Sequence, residues 1–367
     1  MIELRRLDRR ALAEFIATEA YRELPQLPIS RHRARSQIAN PRARPEDVLL
    51  ILAWREDRLL GYLGLLPDAL WDRNGRPRSV AWMSCIWVDA NERGQGIARR
   101  LVEDALEACG GRLLATGFTA PARRLYDKLG AFTDLATLPG RRWYLRSALA
   151  ALLPPKHSLF ARSKGILGVL DRLANAVLDL RLRFGRPALG SFRLEYVTYI
   201  DTGLEQYIRE CSEQSLFRRA QPELNWLLGN PWILQAPEPD DYARRYAFSA
   251  LARQFAQTGV KVYGRDGRLL AFLVFTLRDG HLKLPYAFWT DGGLEAAARV
   301  VRWHWAAWRA DLFTTFQPKL ADALRAKTWP ALAQRAQGRG YLIGKGLAAS
   351  LPEAFTIQEG DGDVGFT

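Results

Sequence analysis

Apolar and polar positions along the chain change period many times, and the changes mark an alternation of strands and helices. Residues 2–7 read as a strand and 10–24 carry helical spacing. The apolar runs 48–54 and 59–66 read as two strands joined by the charged turn Arg55-Glu56-Asp57-Arg58, and 80–88 as a third strand after the turn 72–77. A short turn with two glycines follows, and then Ile97, Leu101, Val102, Ala105 and Leu106 fall on one helical face. A strand near Leu113, a helix through Leu129 and a closing strand at 142–145 complete the first half. The same grammar returns later. Residues 192–200, 261–263, 269–277, 281–289 and 312–316 read as strands, 294–308 and the region of Leu320 as helices, and the region of Tyr341 as a last strand. Between the halves, Leu152-Leu153-Pro154-Pro155 breaks the chain. Ile166, Leu167, Val169, Leu170, Leu173, Ala174, Val177, Leu178 and Leu180 then form a broad apolar stripe with Arg162, Lys164, Arg172, Arg181 and Arg183 around it.

These patterns predict an α/β protein of two tandem domains, each a mixed, bent sheet flanked by helices. The expected boundaries are 1–150 for the first domain, 151–190 for a basic amphipathic helical linker, 191–350 for the second domain and 351–367 for a C-terminal tail. The acidic, glycine-rich stretch Gln358–Asp363 reads as a disordered tail, or else as a segment that folds back to supply a carboxylate. The length of 367 residues supports two domains, and 48% apolar residues fill two cores. No run of eighteen apolar residues occurs, so no membrane span is expected. The first residues read as a strand and not as a signal peptide. Cys85, Cys109 and Cys211 have neither the number nor the spacing of a disulfide framework or a metal site, which points to a reducing, cytoplasmic setting without a metal. The net charge of +14 is densest in 151–190, with 7 Lys/Arg against 2 Asp/Glu. That basic helix has two readings, a helix packed between domains or a contact with a membrane surface through 160–184. Nothing in the charge pattern points to a specific nucleic acid.

The turn Arg93-Gly94-Gln95-Gly96 sits between the end of a strand and the start of a helix. Free N–H groups and the positive end of the helix dipole favour an anion there, most often a phosphate, and glycine lets the ligand approach the main chain. Two phosphate signatures fail. No Lys-Ser/Thr pair follows the second glycine, as a P-loop needs, and the third glycine of a dinucleotide fingerprint is missing.

Arg93-x-x-Gly96-x-Ala98 is similar to the Arg/Gln-x-x-Gly-x-Gly/Ala signature of the GNAT superfamily of acyl-CoA N-acyltransferases. Ala122-Arg123-Arg124-Leu125-Tyr126-Asp127-Lys128-Leu129-Gly130-Ala131-Phe132 resembles the superfamily's later motif, with one residue inserted before the Phe. The resemblance covers residues 1 to 146. It implies acetyl-CoA as donor, with the pyrophosphate on the turn of Arg93, Gly94, Gln95, Gly96, Ile97 and Ala98, and the pantetheine arm beside Ile86 and Val88. It implies Tyr126 as the acid that protonates the leaving thiolate. Two positions depart from the family pattern. Thr119 stands where the family has an Asn that contacts the coenzyme, and Ser84 where it often has a Glu. Proton removal from the amine then falls to water, to Asp68, to His32 or to a group from the second half. The polar segment 27–42, with four arginines, either grips an anionic acceptor or forms a solvated basic helix.

The second half resembles a degenerate GNAT domain. At its phosphate position stands Asp291, which reads as a helix N-cap, so no second coenzyme is expected there. That half is expected to shape the acceptor side of the first cleft. The function expected is acetyl transfer to an amine of a small molecule or glycan. The alternatives are a membrane-surface acyltransferase acting on a lipid amine, and a CoA-binding sensor or scaffold without turnover.

Overall fold

The computed structural model describes residues 1–154, 157–238 and 240–366. The chain divides into two compact units whose boundaries differ from the expected ones. Unit 1 holds 1–137 and 198–253, and also the chain from Arg339 onward; unit 2 holds 138–197 and 254–338. Each unit is therefore assembled from separated stretches of sequence.

Unit 1 has a sheet in the strand order β1 (Glu3–Leu7), β2 (Leu50–Arg55), β3 (Arg58–Trp71), β4 (Pro77–Val88), β5 (Leu113–Thr116) and then the end of β14 (Ala333–Gly344). β1 to β4 are antiparallel neighbours, while β4 and β5 run parallel. β3 is buried along nearly its whole length because it is covered on both faces. The period of two sorts its neighbours: Leu50, Leu52, Leu59 and Tyr62 enter one core, and Ile51, Ala53, Leu60 and Leu63 enter the other. The first core is closed by α1 (Arg9–Ala17), α2 (Glu19–Glu23) and α3 (Arg31–Ile38), with Tyr246 and Ala250 from the 198–253 stretch. The second is closed by α4 (Ile97–Ala108) and α5 (Ala120–Leu129). The single helix expected over 10–24 is two, because the Thr18 side chain caps the second by accepting from the Tyr21 N–H. The closing strand expected at 142–145 is the end of a much longer one, β6 (Phe132–Tyr144).

Unit 2 contains α6 (Leu149–Leu152), α7 (Ser158–Arg162) and α8 (Lys164–Gly185), followed by β7 (Arg193–Val197). The chain then returns to unit 1 for α9 (Thr202–Cys211), α10 (Gln221–Gly229), α11 (Asp241–Arg244) and the short parallel pair β8 (Leu234–Gln235) and β9 (Leu251–Ala252). Unit 2 resumes with β10 (Phe255–Tyr263), β11 (Leu269–Arg278), β12 (His281–Trp289), α12 (Gly293–Ala307), β13 (Leu312–Thr315) and α13 (Pro318–Arg325). Its sheet runs β6-β13-β12-β11-β10-β7. One large core joins β10–β13 to α12 and α13 around Trp143, Phe275, Trp305 and Phe313.

Two pairings explain the scattered boundaries. The end of β14 completes the sheet of unit 1, with Tyr341 opposite Thr116 and Ile343 opposite Leu114. The end of β6 completes that of unit 2, with Tyr144 opposite Leu312 and Arg141 opposite Thr315. Each half of the sequence supplies the closing strand of the other unit's sheet. After β14 come α14 (Lys345–Ala348) and the C-terminal segment.

That segment is not the disordered tail expected. Ile357, Glu359, Asp361 and Phe366 are buried. The Leu216 N–H donates to the Thr356 carbonyl at 2.9 Å, and the Trp232 N–H donates to the Phe366 carbonyl at 3.2 Å. The Phe366 ring stacks on Trp232 with centroids 4.6 Å apart. The partners of these residues lie in 198–253, so the tail has an apolar and hydrogen-bonding seat that 1–150 alone lacks. Residues 1–150 expressed alone therefore lack both the β14 strand and the cover from Tyr246. The expected result is no cooperative thermal transition in circular dichroism, in contrast to the full chain. A fragment melting as cooperatively as the full chain would refute this account of unit 1.

Candidate active site

The glycine turn opens α4 as expected. Gly96 is its N-cap at φ 75°, and Gly94 has φ 87°. Glycine takes this left-handed conformation without a Cβ penalty. Nothing lies within 4 Å of where a Cβ would stand at either position, so the turn faces open space. The first rung of the helix is Arg100 N–H to the Gly96 carbonyl at 3.0 Å. The amides ahead of it are those that a helix N-terminus leaves without an intrahelical acceptor. These features fit a coenzyme pyrophosphate. Arg93 is exposed, and the turn is braced instead through Glu92, which is buried. Arg55 donates to Glu92 at 2.9 Å and to Gln95 at 2.9 Å, and Gln95 donates to Glu92 at 2.7 Å. Arg58 pairs with Asp89 at 2.8 Å and Glu92 at 3.1 Å. The charged β2–β3 turn, read from sequence only as a connection, thus braces the glycine turn before α4.

Beside the turn, two strands part. β4 pairs with β5 at Ala81 and Trp82, and β4 runs on through Ile86 and Val88 beyond that register. On the other side β4 is bulged against β3, where the register shifts between Tyr62 and Gly64. Cys85 takes φ 58° at the bulge, a left-handed conformation costing on the order of 1 kcal/mol for a non-glycine residue. Gly64 makes room for it, since a Cβ there would stand 2.8 Å from the Ser84 carbonyl oxygen. The bulge bends β4 locally, in the stretch that runs on beyond its pairing with β5.

Tyr126 lies on α5, buried between the rings of Phe118 and Phe132. Burial pushes its phenol up to about 12, so it carries its proton at neutral pH. Thr119 caps the same helix by accepting from the Ala122 N–H at 3.4 Å.

A buried polar cluster lies at the bulge. Ser84 is buried, and its hydroxyl accepts from Arg33 at 2.9 Å and donates to the Asp363 carboxylate of the C-terminal segment. Arg33, also buried, donates to the Tyr246 hydroxyl at 2.7 Å and to the Cys85 sulfur, and its guanidinium stacks 4.0 Å from the Trp232 ring centroid. This corrects the reading of 27–42 as a solvated basic helix. α3 buries Arg33, Ser36 and Gln37, while Arg42 pairs with Glu223 at 2.5 Å. His32 donates from Nε2 to the Trp232 carbonyl at 2.6 Å, and burial lowers its pKa. Facing a carbonyl, that nitrogen carries the proton and is not free to take one.

Asp68 is not the start of a loop. It lies inside β3, buried, and accepts two bonds from Arg219 at 2.8 Å each, one from Trp82 Nε1 at 2.9 Å and one from the Ala69 N–H at 2.8 Å. Four donors occupy the four lone-pair sites of a carboxylate. Burial pushes its pKa up, but Arg219 outweighs that and holds it below the usual range. Asp68 is built to hold Arg219, not to take a proton. Arg219 also pairs with Asp361 at 2.9 Å.

The structure thus brings together Ser84, Arg33, Cys85, Tyr246 and Asp363 at the bulge, and groups 93–98 with Ile86 and Val88 along the neighbouring turn and strand end. Arg219, Tyr246 and Asp361 escaped the sequence reading because they lie far from both motifs. Only the acidity of 358–363 hinted at the last.

The open N-terminus of α4 and the bulge between β3 and β4 both lie within the stretch that matches a known family. Residues 11–131, about a third of the chain, match the acetyltransferase (GNAT) family. No curated protein sequence matches the chain. Among solved structures it is similar to a conserved protein of unknown function from Enterococcus faecalis V583, described as a probable N-acyltransferase. The TM-score is 0.52 at 10% identity, over 95% of this chain and 74% of that one. A GCN5-related N-acetyltransferase from Kribbella flavida gives 0.49 at 14% identity, over 95% and 73%. The N-myristoyltransferase of Saccharomyces cerevisiae with bound myristoyl-CoA gives 0.49 at 11%, over 93% and 82%.

Two measurements follow from this geometry. Gly96→Glu places a carboxylate at the open turn, and calorimetry should show CoA affinity falling at least tenfold, about 1.4 kcal/mol; unchanged affinity in a folded variant refutes the turn as the phosphate site. The second concerns Asp361. Burial pushes its carboxyl up, Arg219 partly offsets this, and the result is about 6 against an unfolded value of 3.8. Between those values the folded protein holds a proton that the unfolded chain has lost. The stability from this group is full below pH 4 and is lost as pH rises through 6, roughly 3 kcal/mol in all. In urea unfolding, the stability of the native chain relative to Asp361→Asn should fall over that window. A difference constant with pH would remove Asp361 from the account.

Proposed function

We propose that the protein is an N-acetyltransferase that moves the acetyl group of acetyl-CoA to an amine of a small-molecule or glycan acceptor. The observation that carries this reading is the Asp363 carboxylate, hydrogen-bonded by Ser84 at the β4 bulge. It supplies an acid–base group at the position where the strand itself offers only a serine.

The coenzyme would be held by the turn of Arg93, Gly94, Gln95, Gly96, Ile97 and Ala98, by Ile86 and Val88 along the strand end, and by Thr119 at the start of α5. Its thioester supplies the electrophilic carbonyl. An amine needs a free lone pair to attack that carbon, so a base must take its proton as the C–N bond forms. Asp363 accepts that proton, directly or through the Ser84 hydroxyl. Arg33, which donates to Ser84, keeps this hydroxyl oriented with its proton toward Asp363. As the C–S bond breaks, the electron pair leaves with sulfur, and the protonated Tyr126 phenol neutralises it. Asp68 does not take part in proton transfer; through Arg219 it positions Asp361, two residues from Asp363.

One CoA per chain is expected. In unit 2 the residue capping α12 is Gly292, not Asp291, and the next residue is pressed onto β11. A Cβ on Gly293 would stand 2.0 Å from the Leu270 carbonyl oxygen, but the capping Gly292 is as open as Gly96. The expectation therefore rests on charge: the exposed Asp291 sets a carboxylate beside this turn, where a pyrophosphate would be repelled.

The test is acetyl-CoA turnover against a panel of amines and amino sugars, following thiol release. Asp363→Asn should lower kcat by a factor of about 100 with little change in CoA affinity and shift the acidic limb of the pH profile. Tyr126→Phe should likewise lower kcat more than KM. Absence of turnover with CoA still bound would favour a sensor without catalysis. Normal turnover in Asp363→Asn would return the base to water.

A further inference from the structure

The helix α8 presents its apolar face outward. Ile166 is 67% exposed, Leu173 66%, Val177 69% and Phe184 80%. Over the 22 residues of the helix, about 33 Å long, this stripe runs for some 27 Å. The face turned inward is partly polar. The buried Asp171 accepts from the Ser147 hydroxyl at 2.6 Å and from the Leu149 and Ala150 N–H groups at 2.8 Å each. Asn175 accepts from the Ser147 N–H at 2.7 Å and donates to the Ser147 carbonyl at 2.9 Å. These five directional bonds fix the rotation of the helix about its axis. The apolar stripe is therefore held outward by design of the sequence, and rolling it inward would bury Arg172 and strand Asp171.

The charges around the stripe have one sign. Arg162, Lys164, Arg172, Arg183 and Arg186 are exposed. The two acidic residues of α8 are withdrawn: Asp171 is buried as above, and Asp179 pairs with Arg146 at 2.8 Å. We infer that α8 docks unit 2 onto an anionic phospholipid surface, with the stripe at the level of the acyl-chain boundary and the arginines among the headgroups. A second copy of the chain fits worse. Basic residues stand at both ends and in the middle of the helix, so pairing two such faces in either direction sets like charges together with no exposed acid on α8 to offset them. This inference does not depend on the acyl-transfer reading.

The full chain should cosediment with vesicles of equal parts phosphatidylglycerol and phosphatidylcholine. Binding should weaken at least about tenfold on pure phosphatidylcholine, and again when salt rises from about 0.05 M to about 0.5 M. Leu173→Asp with Val177→Asp should reduce binding to anionic vesicles at least about tenfold while CoA affinity stays unchanged. A second variant, Arg172→Glu with Arg183→Glu, should do the same through charge alone. Failure of the native chain to bind anionic vesicles overturns the proposal, as does equal binding by both variants. A dimer in sedimentation analysis that Leu173→Asp with Val177→Asp dissociates, without lipid binding, would assign the face to a second copy instead.

Discussion

Unit 1 depends on one buried ion cluster. Arg219 enters from 198–253, binds Asp68 in the middle of β3 with two parallel hydrogen bonds, and on its other edge binds Asp361 of the C-terminal segment. The bidentate geometry is the form in which a guanidinium and a carboxylate interact most strongly. Three chain segments far apart in sequence are joined at that point. Burying these charges is costly, and a neighbouring apolar set would give more stability for the same volume. Once built, however, removing one partner leaves a buried charge alone, at a cost of about 3–5 kcal/mol. The cluster therefore specifies which segments come together more than it adds to net stability. Trp82, which donates to Asp68 and packs on Phe217 with centroids 4.9 Å apart, ties it to the strand pair where β4 and β5 are still joined.

The local elements of this fold were legible in sequence because they follow from short-range physics. The period-two runs in β2 and β3, the positive-φ glycines before α4 and the apolar face of α4 each depend on residues within one or two turns of each other. The glycine turn that opens α4 was legible for the same reason. What was not legible is long-range. No period in 192–253 says that Arg219 and Tyr246 belong with Asp68 and Arg33, and no propensity says that β14 will leave its own half to pair with β5. The arginines of 27–42 read as a solvated face because an isolated basic run normally is one. Arg33 becomes a core residue only through Tyr246, Trp232 and Ser84, none of which lies within forty positions of it. The bulge at Cys85 gives no sequence signal either, since its left-handed backbone falls on a residue type that rarely adopts it.

The exchange of closing strands has a consequence for the order of assembly. β5 presents an open edge until residues 341–343 exist, and an unpaired edge is both unstable and prone to wrong pairing. The contacts that close it span more than two hundred residues. High sequence separation raises the entropic cost of closure and slows folding. A chain built this way completes its first sheet only when nearly all of it is available.

The Asp363 carboxylate at the β4 bulge is subject to the same constraint. A carboxylate carried on β4 would be in place as soon as that strand paired. Asp363 is in place only when the C-terminal segment is seated, with Asp361 on Arg219 and Phe366 against Trp232 and Trp226. The glycine turn before α4, by contrast, is complete within residues 55–100. If proton removal rests on Asp363, coenzyme binding and catalysis are separable by position along the chain. Disturbing the seat of the C-terminal segment then costs turnover first and coenzyme affinity little, although none of the seat residues touches a reacting atom.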